Sequence, residues 1–416
     1  MAGLTTQAVV IGAGPTGLTA ALALCACGVE VALTAPPYDR ALVEADRRTT
    51  ALLPGSIELL RNLGVWAACE RHAAPLEGVR LVDDRGGLLR APEVLFKAQE
   101  VGRTSFGVNI PNAALNAALQ AQVSSAERVR WVATSAVVAV EPTEDGVAVS
   151  LAEGQRLTGA LAVAADGRAS TAREAAGIAL RVWSYNQTAV VTTLQHTRAH
   201  ANITTELHRR AGPLTTVPLP GDASSLVWVE EPTVAAHLCA LETARFLAEL
   251  AEPLQGLLGS LRAAGPIAAY PLSGLSAARM AQNRVALVGE SAHVIPPIGA
   301  QGLNLGLRDA AVLAECVAQA LARDEDIGGS ATLEAYHGAR APDVLSRTLS
   351  VDALNRSLLD DFLPLQALRG LSLHVLANIA PVRRLLMRGG LEAPGRLPHL
   401  MQPRSGPLKA RRPQSP

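Results

Sequence analysis

Three short stretches hold residue types that could do chemistry. "GAGPTG" places Gly12, Gly14 and Gly17 at GxGxxG spacing. Glycines so spaced permit a tight turn, close approach of backbone to a pyrophosphate, and intimate helix–strand packing. "AVAADGRAST" sets Asp166 and Gly167 at the end of an apolar run; taken alone, it reads as an ordinary Asp-Gly turn. "RVALVGESAHVIPPIGAQGLNLGLRDAA" passes from an apolar run to a carboxylate, Glu290. It continues through His293, Pro296, Pro297 and Gly299 to a helix beginning near Gly302, Leu303 and Asn304. A carboxylate there can accept a hydrogen bond from a sugar-alcohol hydroxyl, and the helix aims its positive end beyond the turn. An acid that merely caps the helix is the structural alternative.

These residues need elements to position them. "AVVIGAGPTGLTAALALCACGVEVALTA" predicts a βαβ unit: a strand over 8–11, a glycine turn, a helix over about 16–27 and a second strand over 29–34. A GxGxxG that follows a strand and opens a helix offers free N–H groups to phosphates, which points to dinucleotide binding. The acid that usually closes the second strand and holds the ribose is absent; Ala35 stands there, with Asp39, Glu44 and Asp46 following as substitutes. Helices are predicted in "SIELLRNLGVWAACERH" and "NAALNAALQAQV". A hairpin turning at Asp84–Gly87 is predicted in "VRLVDDRGGLLR", and strands joined at Glu144–Gly146 further on. Residues 182–275, with β-branched alternating segments such as "TAVVTTLQHT" and "SSLVWVEE", predict a second, antiparallel sheet. Helical character resumes at Leu303 and runs to about Leu386. The last stretch, with six prolines, is expected to be a disordered tail.

At 416 residues the chain exceeds what one core usually serves, and 49% hydrophobic residues fit a compact protein. Its 37 basic and 37 acidic residues cancel, so charge gives no reason to expect nucleic acid as a partner. Five scattered cysteines without a CxxC pair indicate reduced thiols, not a zinc site or a disulfide framework. The uncharged stretch Gly3–Val29 lacks a basic lead-in and is interrupted by glycines, so it reads as a buried strand, turn and helix; no membrane-spanning helix is expected. His196 and His200 have i,i+4 spacing but fall in a predicted strand with no third ligand, so no metal is expected. His293 near Glu290 reads as a hydrogen-bonding wall of the site in preference to half of an acid/base pair. No GxSxG or P-loop is present.

The set "GAGPTG", "DRRTTAL", "ADGRAST" and "VGESAH…PPIGAQGLNLGLRDA" resembles the FAD-dependent aromatic hydroxylases of the para-hydroxybenzoate hydroxylase superfamily. More narrowly, "DRRTTALLPGSIELLRNLGVW", "NIPNAALNAAL", the "GP…VPLP…SSLVW" run and "LMRGGL" resemble the ubiquinone-biosynthesis hydroxylases, over about residues 7 to 393. The resemblance implies an α/β fold: a Rossmann-like FAD-binding domain with an inserted antiparallel β-sheet substrate domain and a C-terminal helical segment. The expected division is 1–70, 101–181 and 276–345 for FAD, 71–100 and 182–275 for substrate, 346–393 helical and 394–416 tail. It implies that Gly12, Gly14 and Gly17 hold the ADP part of FAD and that Arg48 approaches the cofactor. Asp166 and Gly167 match a motif linked to FAD and the nicotinamide donor. Glu290 stands in place of an aspartate that bonds the flavin ribitol, one methylene longer, and Gly302, Leu303 and Asn304 match the helix start beneath the flavin.

The implied reaction is hydroxylation of a prenylated phenol by O2, with NADPH or NADH as donor, through a flavin hydroperoxide. No residue is singled out as a proton-transfer catalyst. Two other functions stay open: a hydroxylase of a small soluble aromatic such as a benzoate, for which Arg198, Arg209 and Arg210 offer charge, and a non-catalytic flavoprotein subunit of a biosynthetic complex. A cytoplasmic protein is expected. Arg383, Arg384 and Arg388 on apolar helical faces raise peripheral docking on the inner membrane surface or on a ubiquinone-biosynthesis protein complex, beside simple packing on the main domains.

Overall fold

A computed structural model describes residues 3–85, 92–263, 265–297, 299–359, 379–391 and 396–403. The N-terminal strand Ala8–Ile11 is wholly buried, with no polar side chain to satisfy, and lies inside a six-stranded sheet. It pairs in parallel with Val31–Ala35 on one side and Leu161–Ala164 on the other; Val129–Ala133 and Val285–Leu287 extend the parallel order. A short edge strand, Ala281–Gln282, runs antiparallel. Near-continuous apolar strands are what a sheet covered on both faces requires. The helices Pro15–Ala26, Asn112–Ser125 and Gln301–Ala322 contribute buried residues to the same core. Gly306 lets the last of these lie close to the first, because a Cβ there would sit 2.7 Å from Thr16 Oγ1.

A nine-stranded sheet forms a second layer, built around the long strand Leu180–His196 and the strands Ile203–His208, Pro213–Leu219 and Ala223–Glu230. It departs from the antiparallel expectation in one place: Ile203–His208 pairs in parallel with Gly78–Asp83, a strand reached from far earlier in the chain. The hairpin expected after Gly78 is also different. The return strand is Val94–Lys97, pairing Leu81 with Val94, so the connection is longer than a tight Asp84–Gly87 turn; residues 86–91 of that turn lie outside the described residues. One face of this sheet packs on the helices Pro232–Ala240 and Thr243–Leu258 through Leu207, Leu214, Leu226, Trp228, Phe246 and Leu250. Its other face looks into a cleft.

The strands joined at Glu144–Gly146 form as expected, Val137–Pro142 with Val147–Leu151. The predicted helix after Pro54 splits into Pro54–Asn62 and Trp66–Cys69, because Gly64 takes φ of 76° and ends the first. Helix Ser330–Leu359 crosses position 345 without a break, and Ala380–Leu391 follows; the predicted helical stretch between them lies outside the described residues. The tail expectation needs correction over 396–403. Met401 is 1% exposed and packs beneath Pro54–Asn62, while Asn62 Nδ2 donates to the carbonyls of Leu400 and Gln402. Leu397, Leu400 and Met401 supply apolar surface that the surrounding prolines concealed. The rest of the expected tail, 394–395 and 404–416, lies outside the described residues.

Candidate functional site

The two layers enclose a cleft of about 910 Å³. Gly14, Gly17, Arg48, Gly167, Glu290, Gly302 and Leu303 all line it, so segments distant in sequence converge as the motifs require.

The glycine turn divides its work. Gly12 has φ of 104°, and a Cβ there would lie 2.3 Å from Ala165 O; at Gly17 it would lie 2.0 Å from Gly12 O. Both are needed for the fold itself. Gly14 is different: as N-cap of Pro15–Ala26 it faces open space, with no atom within 4 Å of a Cβ. That open position in front of a helix N-terminus leaves room for an anionic group such as a pyrophosphate.

Asp166 and Gly167 follow the neighbouring strand. Asp166 Oδ2 accepts from the Ala172 backbone N–H at 3.3 Å, whereas its buried Oδ1 has no partner among the described residues; unlike Gly167, Asp166 does not itself line the cleft. A buried carboxylate oxygen left unpaired fits a hydroxyl or amine donor supplied by a ligand. Glu290 stands opposite, mostly exposed to the cleft, 3.1 Å from Arg168 Nε; Arg168 also donates to Ser273 Oγ.

Arg48 enters from the strand-leading loop. Asp46 accepts from its Nε and Nη2 at 2.9 and 2.8 Å, and the guanidinium lies over the Tyr270 ring, 5.4 Å from its centre. Burial opposes the Asp46 charge, but the bonds from Arg48 outweigh it and hold the carboxyl below its usual range. Asp46 is thereby committed to Arg48, Asp39 caps the helix Arg40–Ala45, and Glu44 pairs with Arg40. The three acids offered as substitutes at Ala35 all have partners within the protein.

The helix Gln301–Ala322 starts at the cleft with no side-chain cap, leaving first-turn N–H groups directed at the cavity. Asn304 is one turn in, and its side chain is fully used. Its Oδ1 accepts from Leu53 N and Ser56 Oγ, and its Nδ2 donates to Ala51 O and Ala300 O. Asn304 therefore fixes the helix start against Thr49–Leu52 and Pro54–Asn62, and its side chain has no hydrogen-bonding capacity left for a ligand.

Beneath the turn lies a buried charged network that sequence reasoning did not single out. His293 Nε2 is 2.7 Å from Asp309 Oδ2, which also accepts from Gly289 N at 3.0 Å; Asp309 Oδ1 accepts from Arg340 Nε at 2.7 Å. Asp343 joins Arg340, Arg308 and Arg347 at 2.6, 2.7 and 3.0 Å, and Arg347 reaches Gln301 Oε1. Burial works to raise Asp309, but His293 and Arg340 outweigh it and lower its pKa. His293 Nδ1 has no hydrogen-bond partner among the described residues, and the ring lines the cavity. The "GLRDA" run was the available clue, since charged residues inside an otherwise apolar helix face must find partners.

Glu206 was also missed. It lines the cleft from the nine-stranded sheet, with His208 Nε2 2.7 Å from its Oε1. His196 and His200 lie elsewhere, bonded to Ser224 Oγ and to backbone carbonyls.

Comparison with known proteins agrees with this geometry. The FAD binding domain family matches residues 5–347. Ubiquinone hydroxylase UbiL of Rhodospirillum rubrum is 35% identical, over 94% of this chain and 92% of its own length. The 3-demethoxyubiquinol 3-hydroxylase of Escherichia coli is 26% identical, over 93% and 98%. Among solved structures, p-nitrophenol 4-monooxygenase PnpA of Pseudomonas putida DLL-E4 superposes with a TM-score of 0.75 at 20% identity, covering 94% of this chain and 100% of that one. The chain belongs to the FAD-dependent aromatic monooxygenases, within the family of ubiquinone-biosynthesis hydroxylases. Its cofactor is FAD, with a nicotinamide nucleotide the electron donor typical of such enzymes.

Proposed function

We propose that this enzyme hydroxylates the aromatic ring of a polyprenyl phenol on the way to ubiquinone, using NADPH or NADH and O2. The observation that carries the reading is the cleft's uneven lining. One end presents the glycine turns at Gly14 and Gly167, Glu290 and the helix start; the other presents a mainly apolar wall, Val79, Phe96, Val217, Val227 and Val229, interrupted by Thr204, Glu206, Thr215 and Ser225. We assign the first end to FAD, with Gly14 facing the pyrophosphate, Glu290 the ribitol, and Gly302 and Leu303 the flavin ring. The corresponding division is 1–70, 101–181 and 276–345 for cofactor and 71–100 with 182–275 for substrate.

Bound FAD supplies the redox chemistry, taking two electrons from the nicotinamide so that one oxygen atom of O2 reaches the ring and the other leaves as water. The protein's part is positional and electrostatic. The uncapped start of Gln301–Ala322 stabilises negative charge where it develops, and Arg48 adds a cation nearby. The apolar wall excludes water from the reacting centre.

A small benzoate fits less well, because it needs a cation against the substrate wall. Arg198 donates to Gly256 O, and Arg209 pairs with Asp84 and lies over Trp228; neither they nor Arg210 line the cleft.

For access to a membrane-borne substrate we propose docking on a lipid surface. Among the described residues no helix is long and apolar enough to cross a membrane. The Ser330 and Ala380 helices nevertheless expose Leu345, Leu349, Val382 and Leu385 (73% exposed), with Arg384 and Arg388 beside the last two.

Mass spectrometry of quinone-pathway lipids from cells lacking the gene tests the reaction. A prenylphenol short of one hydroxyl should accumulate and be cured by the restored gene. An unchanged quinone profile, with no redundant hydroxylase present, would overturn the ubiquinone reading.

A further inference from the structure

The strand Ile203–His208 alternates: Leu207 packs toward the covering helices, while Thr204 and Glu206 face the cleft. Across the strands, Glu206 pairs with Thr215 and with Leu81. The other ionisable side chains lining the cleft among the described residues, Arg48, Arg168, Glu290 and His293, lie at the end assigned to the cofactor. Glu206 thus brings the one carboxylate to a wall whose other described side chains are uncharged, Val79, Phe96, Val217 and Val227 beside the hydroxyls of Thr204, Thr215 and Ser225. Burying an acid in such surroundings is costly unless something hydrogen-bonds to it. His208, two residues further along the same strand, does so at 2.7 Å and is itself buried at the strand end. It fixes the orientation of the carboxylate toward the cleft.

Resting on the phenol-hydroxylase reading above, we propose that Glu206 is the residue that receives the substrate's ring hydroxyl, with His208 as its positioning residue. An ionised carboxylate only accepts, and a phenol O–H is a donor, so the two form a charge-assisted hydrogen bond. That bond draws the O–H proton away from oxygen and enriches the ortho and para ring carbons in electrons, the carbons that must attack an electrophilic oxygen. It also sets the rotation of the ring in the cleft. The same charge repels an aromatic carboxylate, so Glu206 selects neutral phenols over benzoates.

The test is ligand binding to the oxidised holoenzyme without electron donor, read from the flavin absorbance change. The probes are 2-prenylphenol, its O-methyl ether and 4-hydroxybenzoate. Wild type should prefer the phenol to the ether by about tenfold, the worth of one hydrogen bond to a charged group. Glu206→Leu should bind both alike, with ether affinity close to that of wild type. Glu206→Gln, which keeps an acceptor without the charge, should show intermediate preference and bind 4-hydroxybenzoate tighter than wild type does. Glu206→Gln carries the test if the leucine variant does not fold. Undiminished phenol preference in the variants, or equal binding of phenol and ether by wild type, would overturn the assignment while leaving the phenol reading intact. Failure of wild type to bind either neutral probe would overturn both.

Discussion

His293 Nε2 and Asp309 Oδ2 lie 2.7 Å apart in a pair that solvent does not reach, their side chains 1% and 0% exposed. The same Asp309 carboxylate accepts the Gly289 N–H and the Arg340 guanidinium. A turn that faces the cleft on one side is therefore held from below by the helices Gln301–Ala322 and Ser330–Leu359.

Asp309→Asn should weaken this hold severely. Breaking a buried ion pair from one side leaves Arg340 with less compensation, at a cost of roughly 3 kcal/mol. Thermal unfolding should show a lowered Tm. FAD titration should show weaker binding, because the Gly289–Glu290 turn loses its support.

Asp343 predicts the acid response. Burial works to raise its carboxyl, but Arg340 and Arg308 outweigh it and hold it at about 2. A carboxyl depressed on folding stabilises the protein above its unfolded pKa of about 4, and this contribution is lost as pH falls through the folded value near 2. Urea midpoints of wild type should therefore fall over that window. Asp343→Asn should be less stable near neutrality and lose less on acidification.

The glycines of the first turn should separate folding from binding. Gly12→Ala forces a Cβ against Ala165 O at a positive φ and should abolish a stable fold. Gly14→Ala meets no protein atom, so its stability should stay within about 1 kcal/mol of wild type, the scale of an N-cap change. Its FAD affinity should drop by tenfold or more, on the order of the 1.4 kcal/mol that a factor of ten represents. Unchanged FAD affinity in Gly14→Ala would argue against pyrophosphate at this turn.

Glu290 and Arg168 form a largely exposed ion pair, side chains 60% and 51% accessible, of the kind that contributes little to stability. Glu290→Ala should keep its melting temperature and bind FAD more weakly. Glu290→Asp should recover most of the binding, since the shorter side chain still presents a carboxylate.

Docking on lipid predicts flotation with vesicles containing anionic lipid. Leu349→Ser with Leu385→Ser should reduce it several-fold, and salt should weaken what remains by screening Arg384 and Arg388.

Local requirements were legible in the sequence, because a backbone's needs are written in neighbouring residues. The glycine spacing at 12, 14 and 17 announced a strand-to-helix turn, and the apolar runs announced buried strands. The sequence Glu290, Pro-Gly turn, helix likewise announced a turn into a helix N-terminus, which the structure places at the cleft. Position within the fold was not legible. Asp309 meets His293 from 16 residues away and Arg340 from 31, and nothing at those distances distinguishes a buried partner from a solvated charge. Alternation along Ile203–His208 separates Glu206 from Leu207, yet does not say which face the helices Pro232–Ala240 and Thr243–Leu258 will cover. Met401 is read correctly only once Pro54–Asn62 lies above it. Composition and spacing determined the glycine turn and the strands that carry it. The tertiary structure alone decided which charges are buried together and which sheet face lines the cleft, because burial belongs to the packed whole and not to any segment.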